Sequence, residues 1–312
     1  MRTHNPTPGP MDTTATGVML VLCLVWALQQ VSLKAVAPHA NPMLVVATRS
    51  GIALLLLVAL MWHRREALLT PRWPPGLVAG GLFGLEYLLV TQALHWTSAA
   101  HVVVFLYTAP VFAALGLHLW LPAERLGWRQ VVGIAAAFAG MAWAFGWDGY
   151  RTAGMGQAWL GDALALLGGV AWGATTVTLR CTRLASAPAT ETLLYQLAGA
   201  VVVPLAGTAL IGPWHFDPHP TVWAHLGFQA LVVSFASFLV WCWLLRRYLA
   251  SRLGVFSFMT PVLGVGLGVV LLGEQVTTGF VLGSVLVLVG VVTVAWPSAA
   301  QQGGIKPTTQ EP

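Results

Sequence analysis

LPAERLGWRQVVG, residues 121–133, returns in altered form as LLGEQVTTGFVLG, residues 271–283. Leu121 and Leu271, Glu124 and Glu274, and Gly133 and Gly283 all stand 150 residues apart, and Gly140 and Gly290 keep that offset. Further upstream, WALQQVSLK (Trp26 to Lys34) and WGATTVTLR (Trp172 to Arg180) share Trp, Val, Leu and a terminal cation at one offset of 146. YTAPVFAALG and FMTPVLGVGL place Pro110 and Pro261 14 and 13 residues before the repeated glutamates. The chain is written as two related halves.

Composition says what the halves are made of. Of 312 residues, 57% are apolar and 8% charged, too few charges to cover a soluble domain of this length. Apolar stretches of about 20 residues match a bilayer core roughly 30 Å thick. Ten are read, at about 17–36, 42–62, 74–95, 98–120, 127–147, 159–180, 190–212, 221–245, 253–272 and 278–296. Trp62, Trp73, Trp96, Trp120, Trp128, Trp147, Trp159, Trp214, Trp223 and Trp296 fall at or near their ends, where an amphipathic ring prefers the headgroup layer. Trp26, Trp143 and Trp172 do not.

The basic residues orient the spans. With both termini cytoplasmic, the inner connections hold Arg2, Arg64, Arg65, Arg72, Arg125, Arg129, Arg180, Arg183, Arg246, Arg247, Arg252 and Lys306, twelve of the fifteen. The outer side holds Lys34 and Arg151, and Arg49 lies within a span. That alternation is the positive-inside pattern, and one missed helix would scramble it. The net charge of +5 thus sets orientation and does not point to nucleic acid. Ala35-Val36-Ala37 mimics a signal-peptidase site, but the apolar run before it is long and only Arg2 precedes it, so a retained helix is expected. Residues 1–16 and 297–312, polar and rich in Pro and Gly, read as disordered cytoplasmic tails.

The fold expected is therefore all-α and integral to the membrane. A first repeat of five spans covers 17–147, an outer connection 148–158, and a second repeat 159–296. Five is odd, so the second half enters the membrane from the opposite side, with Glu124 at the cytoplasmic face and Glu274 at the outer one. Inverted repeats serve alternating access, because exchanging the conformations of the halves turns an inward-open state into an outward-open one. Duplication without transport is the alternative.

These residues carry a family resemblance. Trp26 in the first span, the run Ser98-Ala99-Ala100, Pro110, Glu124, Gly133, Gly140, and its echo Pro261, Glu274, Gly283, Gly290 are similar to the EamA-type, ten-helix branch of the drug/metabolite transporter superfamily. The resemblance spans roughly residues 17–296. It implies a basket of ten helices, with a central cavity lined by helices 1–4 and 6–9. It also implies cargo among amino acids, other metabolites, nucleotide-like compounds or drugs, commonly moved outward, across a bacterial inner membrane.

Two charges lie deep in the spans, Arg49 and Glu86. A carboxylate at mid-membrane costs about 2.5–3.5 kcal/mol on insertion scales and faces a cavity or a partner. At 1.5 Å per residue, Arg49 is about 12 Å below the outer end of span 2 and Glu86 about 18 Å above the inner end of span 3, so they share a depth. They form a structural ion pair, or Arg49 attracts a substrate carboxylate while Glu86 binds an ammonium or exchanges protons. Tyr107 shares that depth and Tyr87 adjoins Glu86. Trp26 and Trp172 are symmetry mates that serve either as aromatic walls or as ordinary packing. Gln29, Thr176 and Gln196 complete the expected substrate set; Gln30, Thr175, Gln229, Ser234 and Ser237 are further hydrogen-bonding candidates within spans.

Pro110 and Pro261 each remove a helical hydrogen bond and are hinge candidates. Gly76, Gly80 and Gly84 give span 3 a close-packing stripe. Glu124 and Glu274 read as structural acids at helix ends. Cys23, Cys181 and Cys242 form no CxxC pair, and no HExxH, P-loop, GxSxG or metal-ligand spacing occurs, so neither an enzyme, a metal nor a cofactor is expected. The functional expectation is a secondary transporter exporting amino acids or related small metabolites, with Glu86 the candidate for proton coupling. Uptake or uncoupled facilitation by the same fold is the alternative, and a membrane-embedded enzyme, channel or scaffold the reading from another class. Small solute, lipid and protons are the partners; one chain carries both halves, so a monomer suffices.

Overall fold

A computed structural model describes residues 13–68, 70–120, 126–146, 157–247, 257 and 259–295. They are helical almost throughout: α1 (Thr13–Val36), α2 (Pro42–His63), α3 (Trp73–Trp96), α4 (Ala99–Leu106), α5 (Ala109–Trp120), α6 (Trp128–Gly146), α7 (Ala158–Cys181), α8 (Ala189–Ile211) and α9 (Pro220–Gly227). After α9 come a π-helical segment, Phe228–Ser237, then α10 (Phe238–Arg247), α11 (Met259–Leu272) and α12 (Thr278–Ala295). Among the described residues, seven spans are long and apolar enough to cross a membrane, the α4–α5 and α9–π pairs each counting as one; α11 and α12 are shorter apolar helices. Leu55, Trp62, Leu119, Trp128, Leu210 and Val270 are exposed on the outside. In water that surface would aggregate; in lipid it is the solvent-facing side.

Local chemistry sets the helix ends. Pro42, Pro74 and Pro220 occupy first-turn positions, where a missing N–H costs nothing. Asn41 accepts from the Met43 amide at 2.9 Å, and Ser98 from that of His101 at 3.1 Å. α1 begins at Thr13, so residues 13–16 belong to the helix and not to the tail; Ala15 is buried in a cluster with Met19, Leu22, Cys23 and Leu244. The rest of both tails, most of the 148–158 connection, and Glu124 lie outside the described residues.

The repeat becomes visible in packing. α1 packs on α11 as α7 packs on α4 and α5; α3 packs on α8 as α2 packs on the π-segment; α2 pairs with α8, and α6 with α12. At that last crossing a Cβ on Gly140 would stand 2.7 Å from the Gly283 carbonyl and 2.6 Å from the Val287 amide. A Cβ on Gly290 would stand 2.5 Å from both the Gly133 carbonyl and the Ala137 amide. Adding 150 to one set of contacts gives the other, so the crossing is isologous. The repeated glycines of the opening segment are thus residues of one self-complementary contact. The span 3 stripe also behaves as expected: Gly80 and Gly84 meet the α8 backbone at Tyr195 and Gly199, and Gly76 the Tyr195 ring.

Candidate functional site

Arg49 and Glu86 are both buried, 1% and 5% exposed, but among the described residues no ion pair joins them. Arg49 instead lays its guanidinium on the Tyr87 ring, Cζ 4.6 Å from the centroid. Its Nη1 donates to Gln229 Oε1 at 2.7 Å. The two charges stay within electrostatic reach without touching, for a physical reason: successive residues of a helix point about 100° apart, and it is the Tyr87 ring that meets the guanidinium. Gln229 Nε2 donates to the Gln29 carbonyl at 2.9 Å, and Gln29 Nε2 to the Tyr87 hydroxyl at 3.4 Å. One network thus ties α1, α2, α3 and the π-segment. Glu86 Oε2 and Arg49 Nε are buried with no hydrogen-bond partner, a condition that asks for a ligand or water.

Tyr107 sits where span 4 breaks between α4 and α5, edge-on to Trp172 at 5.2 Å. Thr260 of α11, Cys23, Tyr87 and Glu86 are the polar neighbours of its side chain. Trp26 donates to Ser237 at 3.0 Å and meets Trp241 edge-on at 5.5 Å, so the two symmetry-mate tryptophans hold different partners. Thr176 spends its hydroxyl on the Trp172 carbonyl at 3.2 Å. Gln196, half-buried on α8, joins none of these contacts. The break at Tyr107–Thr108 directly precedes Pro110; Pro261 lies in the first turn of α11. Pro204, inside α8, is a further proline the sequence reading passed over.

A second polar cluster lies at the end of the bundle where α3 turns into α4. Lys34 donates to the carbonyls of Leu94 and Thr97, closing α3. Glu274 accepts from the amides of Ala99 and Ala100 at 2.6 and 2.9 Å. It does stand at a helix N-terminus, but that of α4 and not of the helix after it. Gly273, at φ +65°, ends α11 in the left-handed region and turns the chain so that the carboxylate reaches across. Asp162, fully buried, accepts from Thr97 Oγ1 at 2.8 Å and from His101 Nδ1 at 2.9 Å; a carboxylate only accepts, so Nδ1 carries the proton. The His101 ring lies flat on Phe280 at 3.8 Å. Asp162 escaped the sequence reading, although it and His101 sit equally shallow in their spans, an acid opposite a histidine. Asp162→Ala, which takes the acceptor from the buried Thr97 hydroxyl and from half-buried His101, should cost about 1–3 kcal/mol, read as a lower Tm in detergent; Asp162→Asn should cost less.

Apolar helices around a buried, charged centre describe a multi-span membrane transporter, and the comparisons agree. The EamA-like transporter family matches the sequence twice, over residues 14–146 and 159–296. The chain belongs to that family, and with it to the drug/metabolite transporter superfamily. It is 22% identical over 283 residues to the uncharacterized transporter YoaV of Bacillus subtilis (strain 168), covering 88% of this chain and 94% of that one. It is 26% identical over 283 residues to a probable amino-acid metabolite efflux pump of Salmonella typhimurium, covering 87% and 91%. A protein of known crystal structure superposes with a TM-score of 0.63 at 24% identity, over 91% of this chain and 96% of that one, which shows the fold. With bacterial relatives of this kind, an inner-membrane location is consistent.

Proposed function

We propose that the protein is a secondary exporter of amino acids or related small metabolites, working by alternating access between two inverted five-span halves with both termini cytoplasmic. The observation that carries this reading is the pair of buried, opposite and mutually unpaired charges at Arg49 and Glu86. A buried guanidinium Nε and a buried carboxylate oxygen that both lack hydrogen-bond partners suit a zwitterion, which brings a partner for each. The contacts that exchange between halves support the inverted arrangement, and the likeness to the Salmonella probable amino-acid metabolite efflux pump supports amino-acid metabolites leaving the cell. Glu86 is the proposed proton site, since a buried carboxylate without a contact ion pair is costly to keep charged.

Counterflow of labelled amino acids in proteoliposomes tests the reading. Exchange should saturate, and an imposed pH gradient should drive net flux. In Glu86→Gln, exchange should persist while the response to the gradient disappears. Equal gradient responses in parent and variant would remove Glu86 from coupling, and gradient-independent exchange in both would make the protein a facilitator. No exchange of any amino acid by folded protein would sink the substrate assignment.

A further inference from the structure

An arginine guanidinium offers five N–H groups in a plane, and the edge made by Nε–H and one N–H of Nη2 matches the two oxygens of a carboxylate. In Arg49 the far end and one face of the group are engaged, and that edge is not. Nη1 is held by Gln229 Oε1 at 2.7 Å, and the face by the Tyr87 ring at 4.6 Å. Nε is buried with no hydrogen-bond partner, and the one side-chain hydrogen bond Arg49 makes among the described residues is that of Nη1. The side chain is 1% exposed, so bulk water does not fill the gap.

Gln229 is fully buried and its amide orientation is determined on both sides. Nε2 donates to the Gln29 carbonyl at 2.9 Å, which leaves Oε1 for the guanidinium. It is the second residue of the π-segment Phe228–Ser237, and π-helical turns are rare and concentrate at functional sites. The residue type matters. Glutamate here would hold the guanidinium just as firmly and cancel its charge; glutamine fixes the geometry and leaves the charge for a ligand.

We infer that Arg49 is a preformed carboxylate fork, and that Gln229 is the positioning residue that lets the protein distinguish a free carboxylate from a neutral head group. The ligand class is a small molecule with an unmodified carboxylate, such as an amino acid, in preference to its carboxamide or its decarboxylated amine. This deepens the proposed function and rests on it.

The test compares half-saturation concentrations in counterflow. Each of the twenty labelled amino acids is tried, and for the one that exchanges fastest the carboxamide and the decarboxylated amine are run as competitors. In the parent protein the acid should be favoured over both by about 10- to 100-fold, the worth of charge-assisted hydrogen bonds. In Gln229→Glu that ratio should collapse toward one; in Gln229→Met, which removes the clamp and leaves the charge, it should fall about tenfold or less. A merely structural Gln229 would shift acid and amine alike and leave the ratio where it was. If amino acids exchange and the parent does not prefer the acid, the fork is overturned while the proposed function stands, and this result needs no variant to fold. If no amino acid exchanges, both fall together.

Discussion

Gly199→Ala should give no monodisperse protein in detergent, although it adds a single methyl. The new Cβ would fall on the Gly80 carbonyl carbon and oxygen. Overpacking a core costs about 1–3 kcal/mol when a side chain can rotate away. Here the obstacle is backbone on both sides, so α3 and α8 have to separate along the stripe Gly76, Gly80, Gly84. Lipid offers no hydrophobic drive to bring them back, since close van der Waals contact between small residues is what holds such helices together. Gly81→Ala is the matched control: it lies on α3 next to Gly80, the residue Gly199 meets, and its Cβ would meet nothing within 4 Å. Fluorescence-detected gel filtration of the two variants decides it. A monodisperse Gly199→Ala would mean that α3 and α8 pack less closely than described.

The second large effect belongs to Glu274. Its carboxylate closes the positive end of α4 through two short hydrogen bonds to buried amides, with Lys34 within electrostatic reach. Hydrogen bonds to a charged group are worth about 1.5–3 kcal/mol, discounted here because the side chain is half exposed. Glu274→Ala should therefore lose about 2–3 kcal/mol and free the turn between α3 and α4, raising thiol labelling of a Ser98→Cys reporter. Glu274→Gln keeps one acceptor and should lose about half as much. Gly268→Ala makes a useful companion, because its Cβ would collide with Glu274 Oε2 and displace the carboxylate without removing any charge. If Glu274→Ala labels and melts like the parent, the carboxylate does not hold this turn.

Depth along a span is legible in a sequence; direction around it is not. The apolar runs and their proline and asparagine ends place α2 at Pro42–His63 against the 42–62 expected. The same counting puts Arg49 and Glu86 at one level correctly enough to bring them into one region. It cannot tell that Tyr87, 100° further round, is the residue that meets the guanidinium. Gln229 is hidden twice over, being one polar residue among many and lying in a π-turn, where the ordinary helical period no longer predicts which side chains share a face. The glycine echoes are the opposite case. Gly133, Gly140, Gly283 and Gly290 are legible by their spacing alone, because Gly140 and Gly290 approach the opposite backbone too closely to carry a Cβ.

The α6–α12 crossing also bears on how the chain is made. Val287 follows Gly140 by 147 residues, so at synthesis rates of about 5–20 residues per second the glycine face of α6 stands without its mate for about 7–30 s. During that wait the surface most like α12 is the α6 of a neighbouring nascent chain, which carries the same glycines. Correct pairing thus depends on the ribosome finishing before two copies meet, and crowded overexpression is the condition under which the wrong dimer forms.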